Sequence, residues 1–308
     1  MRIAVLCNDR IALPAIDQLL AARLLVAAGM PDRINEAQML MKARCAHYKV
    51  PLQLFSKTDL KGQLNAWLDQ HKPDVVLVKT FPFRIPAEVI TRPKHGFVNF
   101  HYAPLPQWRG PNPLFWMIRN QVMQGGVTVH RMNADFDAGP VLLQQTVQRT
   151  PDTNYGLYYS QLAFSACNLI GALLNGLQQG NLQEKEQDHS QAKWYGRPQP
   201  SDLMINWATM SADEIKALVK ACNPWNKGAG TRWKGWTFGI TDASVADNED
   251  AASALPGTIL SIDPNNGGLM IATIDKKAIK AEVVYCEEGF FPGHSLGTFG
   301  LRKHEQLV

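Results

Sequence analysis

Two side chains able to do acyl chemistry stand two residues apart in the stretch HGFVNFHYAPLPQWRG, residues 95–110. They are Asn99 and His101, set in an apolar run and followed by a proline-broken loop. A carboxylate arrives later, where a second apolar run, GGVTVHRM, gives way to ADFDAGPVLL and its Asp137-Ala-Gly-Pro turn. Residues i and i+2 of a strand share a face, so the Asn99 amide and the His101 imidazole project the same way. Phe97, Val98 and Phe100 are left to pack. An amide, an imidazole and a carboxylate gathered at strand ends meet the needs of acyl transfer to an amine. That reaction takes a donor for the developing oxyanion, a group that handles the amine proton, and a carboxylate that orients the imidazole.

Each residue also has a plainer reading. Asn99 could close a strand by bonding a turn, and His101 could be a satisfied core histidine. Their combination with Asp137 and the intervening loop is what points to catalysis. Asp135 is the rival carboxylate, and Asp137 is preferred because it begins the Asp-x-Gly turn. His101, His130 and Asp137 carry the donor types of a transition-metal site. No close His-x-His or His-x-x-x-His spacing supports one, so the reading is metal-free. Arg109 either grips an anionic group or braces its own loop at Gly110-Pro111.

The block resembles the folate-dependent formyltransferase family, whose core reads Asn-x-His-x-Ser-Leu-Leu-Pro-x-x-Arg-Gly and, later, Asp-Thr-Gly. The resemblance implies catalytic roles for Asn99, His101 and Asp137, with 10-formyltetrahydrofolate as formyl donor and no metal. Asn99 and protonated His101 would then stabilise the tetrahedral oxyanion. Asp137 would orient His101 and assist proton transfer through water. The resemblance further implies a pterin pocket lined by Phe81, Phe83, Arg84 and Ile85, largely through their backbone, together with Asp135 and Asp137. Tyr102, Pro104 and Arg109 fall on the acceptor side. One departure is that Ser-Leu-Leu-Pro has become Ala103-Pro104-Leu105-Pro106, which removes a hydroxyl beside the triad.

The elements that must hold these residues alternate. RIAVLC, LLVAAGM, PLQLF and DVVLVKTF read as buried parallel strands, and LPAIDQLLAA, NEAQMLMKARCAHY and LKGQLNAWLDQH as the helices between them. This is the pattern of an α/β, doubly wound, mainly parallel sheet, in which ligands sit beyond the carboxyl ends of strands. No Gly-x-Gly-x-x-Gly follows the first strand. A long apolar helix over 155–180 closes a catalytic domain of residues 1–185. A polar, proline-punctuated linker covers 186–205. Residues 206–308 open with a Ser211–Glu214 capping box and continue as short apolar runs broken by Gly, Asn and Pro. They read as a small β-rich module, similar to the OB-like C-terminal domain of methionyl-tRNA formyltransferases. Trp225, Trp233 and Trp236 in this module read as its core before they read as a stacking platform.

At 308 residues the chain suits two domains. Five scattered cysteines without a Cys-x-x-Cys suggest reduced thiols and a cytoplasmic setting. The N-terminal apolar run is too short for a signal segment, and no stretch is expected to cross a membrane. No feature of the sequence sets an oligomeric state. The net charge is +4, yet residues 200–308 carry thirteen Asp/Glu against ten Lys/Arg. That third is therefore about −3 and the remainder about +7, the wrong sign for a nucleic-acid grip by the C-terminal module. In the tRNA enzymes a Gly- and Lys-rich loop follows the second strand, and Pro31-Asp32-Arg33 matches only its start. The favoured reading is N-formylation of a small-molecule or carrier-linked primary amine, such as a nucleotide-linked amino sugar, in a biosynthetic role. Methionyl-tRNA formyltransferase is the second reading, and a folate-binding hydrolase or non-catalytic relative the third.

Overall fold

The computed structural model describes residues 1–265 and 268–308. They form two compact units that are not contiguous in sequence. The first holds residues 1–113, 124–148 and 159–196, and the second holds 114–123, 149–158 and 197–308. Two segments from within the expected catalytic domain thus belong to the C-terminal unit. The expected linker is divided after Gly196.

The first unit is built on strands β1 (Ile3–Cys7), β2 (Leu25–Pro31), β3 (Leu52–Phe55), β4 (Val75–Lys79), β5 (Phe97–His101), β6 (Gln124–Arg131) and β7 (Val141–Gln148). Their order is β3-β2-β1-β4-β5-β6-β7. The pairs from β3 to β5 are parallel, and β5–β6 and β6–β7 are antiparallel. The chain winds outward from β1 to β3 and then returns to lay β4 on the other side of β1. This makes the switch point at which open α/β sheets bind ligands.

Helices α1 (Leu13–Ala21), α2 (Glu36–Tyr48), α3 (Leu60–His71) and the short α4 (Ala87–Ile90) connect the parallel strands. Two caps explain where they start. The Asn35 side chain accepts from the Gln38 amide at 2.8 Å, and the Asp59 side chain from the Gly62 amide at 3.2 Å. Leu60, Leu64, Trp67 and Leu68 of α3 pack with Val76, Val78, Phe97 and Phe55 in one buried cluster. That cluster fixes β4 beside β5, so the ends of both strands emerge together.

Helices α5 (Pro113–Arg119) and α6 (Tyr155–Gln179) follow. By length and composition alone, α6 is the one described helix long and apolar enough to cross a membrane. Leu162, Ala166, Leu169, Ile170, Leu173 and Leu177 bury one of its faces in the protein, as a core helix does.

In the second unit, α7 (Ala212–Cys222) starts at the expected capping box. The Ser211 side chain accepts from the Glu214 amide, and the Glu214 carboxylate accepts from the Ser211 amide at 2.8 Å. Strands β8 (Ala229–Trp233), β9 (Trp236–Ala246), β10 (Ile259–Ser261), β11 (Leu269–Ala272) and β12 (Ala278–Cys286) form an antiparallel sheet in the order β10-β11-β12-β9-β8. Strand β13 (Gly289–Pro292) pairs with β12. Trp236 stacks on Phe299 at 5.5 Å and lies 5.4 Å from Phe238, within an aromatic cluster of that unit.

Candidate active site

The register of the sheet assembles the site. Asn99 on β5 lies directly opposite His130 on β6, and His101 opposite Thr128. Opposed residues of an antiparallel pair share a face. Asn99, His101 and His130 therefore project together, as the i, i+2 spacing of Asn99 and His101 required. Phe100 points the other way, to the ammonium of Lys79, which sits 3.7 Å from its ring centroid.

Asp137 completes the group from the turn after β6. Its φ is +53°, the left-handed region, which Asp tolerates better than most residues. Gly139, two residues on, leaves no room for a side chain, because a Cβ there would lie 2.1 Å from the Arg131 carbonyl oxygen. The Asp137 carboxylate then does two things. Oδ2 accepts from the Gly110 amide at 2.9 Å, while Oδ1 lies 3.5 Å from Asn99 Nδ2 and 3.5 Å from His101 Nδ1. The other nitrogen of His101, Nε2, bonds the Trp108 carbonyl oxygen at 2.6 Å. A carbonyl can only accept, so Nε2 carries a proton and Nδ1 is the nitrogen turned to Asp137. His101 and Asp137 are 6% and 12% exposed, dry enough to make these charges and dipoles effective.

His130 was weighed in the sequence only as a metal ligand. The structure instead places its Nε2 3.1 Å from Asn99 Nδ2, and its Nδ1 2.7 Å from the Arg131 carbonyl oxygen. Burial drives its pKa down to about 4, against a weaker upward pull from Asp137 and with His101 pushing the same way as burial. Its ring is therefore neutral near pH 7. No cluster of His, Cys, Asp or Glu with metal-holding geometry occurs among the described residues.

The other expected site residues divide. Phe81 and Phe83 pack ring to ring at 5.3 Å and lie against the buried cluster, and Ile85 is inside it. Their side chains are thus spent on the core, leaving backbone to line any pocket. The Arg84 guanidinium donates to the Ala134 carbonyl oxygen at 2.6 Å, lies 3.9 Å from Asp135 and sits beside the Phe136 ring. It clips the segment after β4 to the turn that carries Asp137. Asp135 itself is largely exposed. Tyr102 was expected to touch the acceptor and is not brought to the triad. One residue beyond His101, it points to the opposite face and is buried, with Lys79 Nζ 3.2 Å from its hydroxyl and Ile11 O 3.4 Å away. Pro104 holds the loop by accepting from the Trp108 amide at 3.2 Å.

Arg109 braces. Its guanidinium donates to Gln187 Oε1 at 2.7 Å and meets His189 Nδ1 at 3.2 Å. Gln187 Nε2 in turn donates to the Asp137 and Gly139 carbonyl oxygens at 3.0 and 2.7 Å. Residues of the expected linker thus hold the turn that carries Asp137. Trp108 stacks on Tyr195 at 4.6 Å, and the Tyr195 carbonyl would lie 2.0 Å from any Cβ at Gly110, where φ is +120°. Gln187 carried no signal in the sequence, since a glutamine in a polar stretch reads as solvated.

Residues 22–172 match the family model described as formyl transferase, and residues 198–288 match that of the formyl transferase C-terminal domain. A methionyl-tRNA formyltransferase of Pseudomonas putida is 30% identical over 254 residues, covering 80% of this chain and 78% of its own. The chain belongs to the formyltransferase family. A second relative, the methionyl-tRNA formyltransferase of Acetivibrio thermocellus, is 27% identical across 96% of this chain and 98% of its own. Among solved structures, an N-formyltransferase from Helicobacter canadensis, in complex with folinic acid and dTDP-3-aminofucose, superposes with a TM-score of 0.69 at 14% identity. That match covers 91% of this chain and 98% of the other. HypX from Aquifex aeolicus, in complex with tetrahydrofolic acid, superposes with a TM-score of 0.65 at 19% identity over 98% of this chain. This formyltransferase spans 48% of the HypX chain. At these identities the two structures support the fold alone. The family establishes this chain as an enzyme of formyl transfer.

Proposed function

We propose that this formyltransferase moves the formyl group of 10-formyltetrahydrofolate onto a primary amine of a small-molecule or carrier-linked acceptor, giving a formamide and tetrahydrofolate in the cytoplasm. The observation that carries the reading is the convergence of Asn99 Nδ2 and His101 Nδ1 on one oxygen of Asp137, each at 3.5 Å. Both contacts are long enough to be exchanged for contacts to a reacting group. The amine nitrogen attacks the formyl carbon, the C–N bond forms and the carbonyl oxygen becomes an oxyanion. Asn99 turns an N–H toward that oxygen. The proton lost by the amine passes to His101 Nδ1, directly or through water, and the Asp137 carboxylate stabilises the imidazolium so formed. Collapse of the intermediate breaks the bond to N10 of the folate, which leaves with a proton. The segment after β4 and the turn at 133–137, clipped together by Arg84, would take the pterin.

A small acceptor is favoured by the four residues, 32–35, that join β2 to α2. They are too few to reach into the acceptor stem of a tRNA. Within the C-terminal unit, Lys216, Lys220, Lys234, Lys277, Lys280 and Lys303 already face carboxylates. The competing reading, formylation of methionyl-tRNA, is favoured by relatives of that name that align over both domains. Incubation with 10-formyltetrahydrofolate and a panel of nucleotide-linked amino sugars and small amines tests the proposal. A formamide is expected with at least one of them, and formate release without any acceptor would favour a hydrolase instead.

A further inference from the structure

His130 contributes no atom to the scheme above, yet it is 2% exposed and contacts both Asn99 and Asp137. Its Nδ1 lies 2.7 Å from the Arg131 carbonyl oxygen, which can only accept, so the ring proton is on Nδ1. Nε2 is then a bare lone pair, and 3.1 Å away it meets the side-chain nitrogen of Asn99. An amide can be turned over with little change of shape, so its orientation is set by its neighbours. Turned over, Asn99 would present its oxygen to the His130 lone pair and to Asp137 Oδ1, two acceptor–acceptor contacts in a dry site. Only one orientation survives. In it, one amide hydrogen is held by His130 and the second points at Asp137 Oδ1, 3.5 Å away, into the site.

We propose that His130 is a positioning residue that locks the Asn99 amide with its N–H toward the reacting formyl oxygen. The proposal rests on the assignment of Asn99 to the oxyanion. His130 acts as a fixed acceptor, not as a base. Asp137 and His101 are the titratable groups that face it, Arg109 adds a more distant positive charge, and burial keeps the ring neutral despite the nearby carboxylate. The backbone secures the device as well. The sheet register places His130 opposite Asn99, and Arg131, whose carbonyl fixes the tautomer, is held by its backbone N–H, which donates to the Pro140 carbonyl oxygen at 2.9 Å.

A double-mutant cycle reads the coupling. His130→Leu keeps the volume and removes the acceptor, whereas His130→Gln keeps an acceptor oxygen. With the acceptor found in the panel, His130→Leu is expected to lower kcat about tenfold with little change in KM for the donor, in the range of contacting-pair couplings. His130→Gln should recover most of that loss. In an Asn99→Ala background, His130→Leu should cost almost nothing further. A loss that persists undiminished in that background, or moves KM alone, overturns the proposal. Nitrogen-15 NMR of the free enzyme needs no acceptor. It should show His130 as the Nδ1–H tautomer in the wild type, with an Asn99 side-chain amide signal that shifts in His130→Leu. An Nε2–H tautomer, or an Asn99 amide indifferent to the substitution, refutes the positioning role. Absence of formyl transfer by the wild type would count instead against the assigned reaction.

Discussion

Asn99 and His101 differ in what the fold leaves uncommitted on each. Asn99 keeps one amide hydrogen at the long 3.5 Å contact to Asp137, and His101 keeps Nδ1, because Nε2 is tied to Trp108. Removing the first should remove oxyanion stabilisation. Asn99→Ala is expected to lower kcat by roughly two to three orders of magnitude, and a turnover within a few-fold of wild type would contradict that role. Lys79 makes a different kind of statement. It is wholly buried, and burial pulls its pKa from 10.5 to about 7. A folded-state value below the unfolded one means that, between those limits, the unfolded chain binds the extra proton. Stability should therefore rise with pH from about 7 toward 10.5 and be lowest at and below 7. Lys79→Met should raise the melting temperature at pH 7 and flatten the slope. Thermal unfolding between pH 7 and 10 checks this, and a wild-type curve with no slope over that window would contradict it.

At the scale of elements, the close approaches around the Asp137 turn are its most vulnerable points. Gly139 has backbone, not a flexible side chain, where a Cβ would go. Gly139→Ala should therefore cost roughly 1–3 kcal/mol, the usual range for forced overpacking, and displace the Arg131 carbonyl that holds His130. Urea unfolding measures the first effect, and a variant as stable as wild type would contradict it. The strands β1, β4 and β5 were legible because continuous apolar runs with Val and Ile read as buried strands, and the same runs placed Asn99 and His101 correctly. The opposition of Asn99 and His130 was not legible. It depends on the register between β5 and β6, which local periodicity does not encode. Residues 186–196, within the expected linker, differ from that reading for another reason. Polar side chains read as solvated, yet Gln187 and the backbone around Tyr195 spend their polar atoms on Arg109 and the Asp137 turn. Tyr102 was misplaced by one step of strand alternation, which sends it to the Lys79 side of the sheet.

For the whole molecule, the excess of Asp/Glu over Lys/Arg in residues 200–308, with six lysines there already facing carboxylates, counts against a grip on many phosphates. Formylation of methionyl-tRNA, if it occurs, should show a specificity constant below that of the best small amine. It should also lack the steep fall with salt that many phosphate contacts produce. Rates over a range of salt decide this, and a dominant, salt-sensitive tRNA activity would reverse the choice of acceptor. The β-rich character of the C-terminal module was legible from the short apolar runs broken by Gly, Asn and Pro that follow the capping box. That 114–123 and 149–158 join the second unit was not, because interleaving of this kind leaves no compositional mark. Beneath these choices lies the claim that Asp137 organises formyl transfer. Asp137→Asn can still accept from the Gly110 amide but loses the charge facing His101. Single-turnover formation of tetrahydrofolate and formamide, in equal amounts, should fall by roughly two to four orders of magnitude in Asp137→Asn while donor affinity is kept. Transfer at a near-normal rate in that variant would contradict the account.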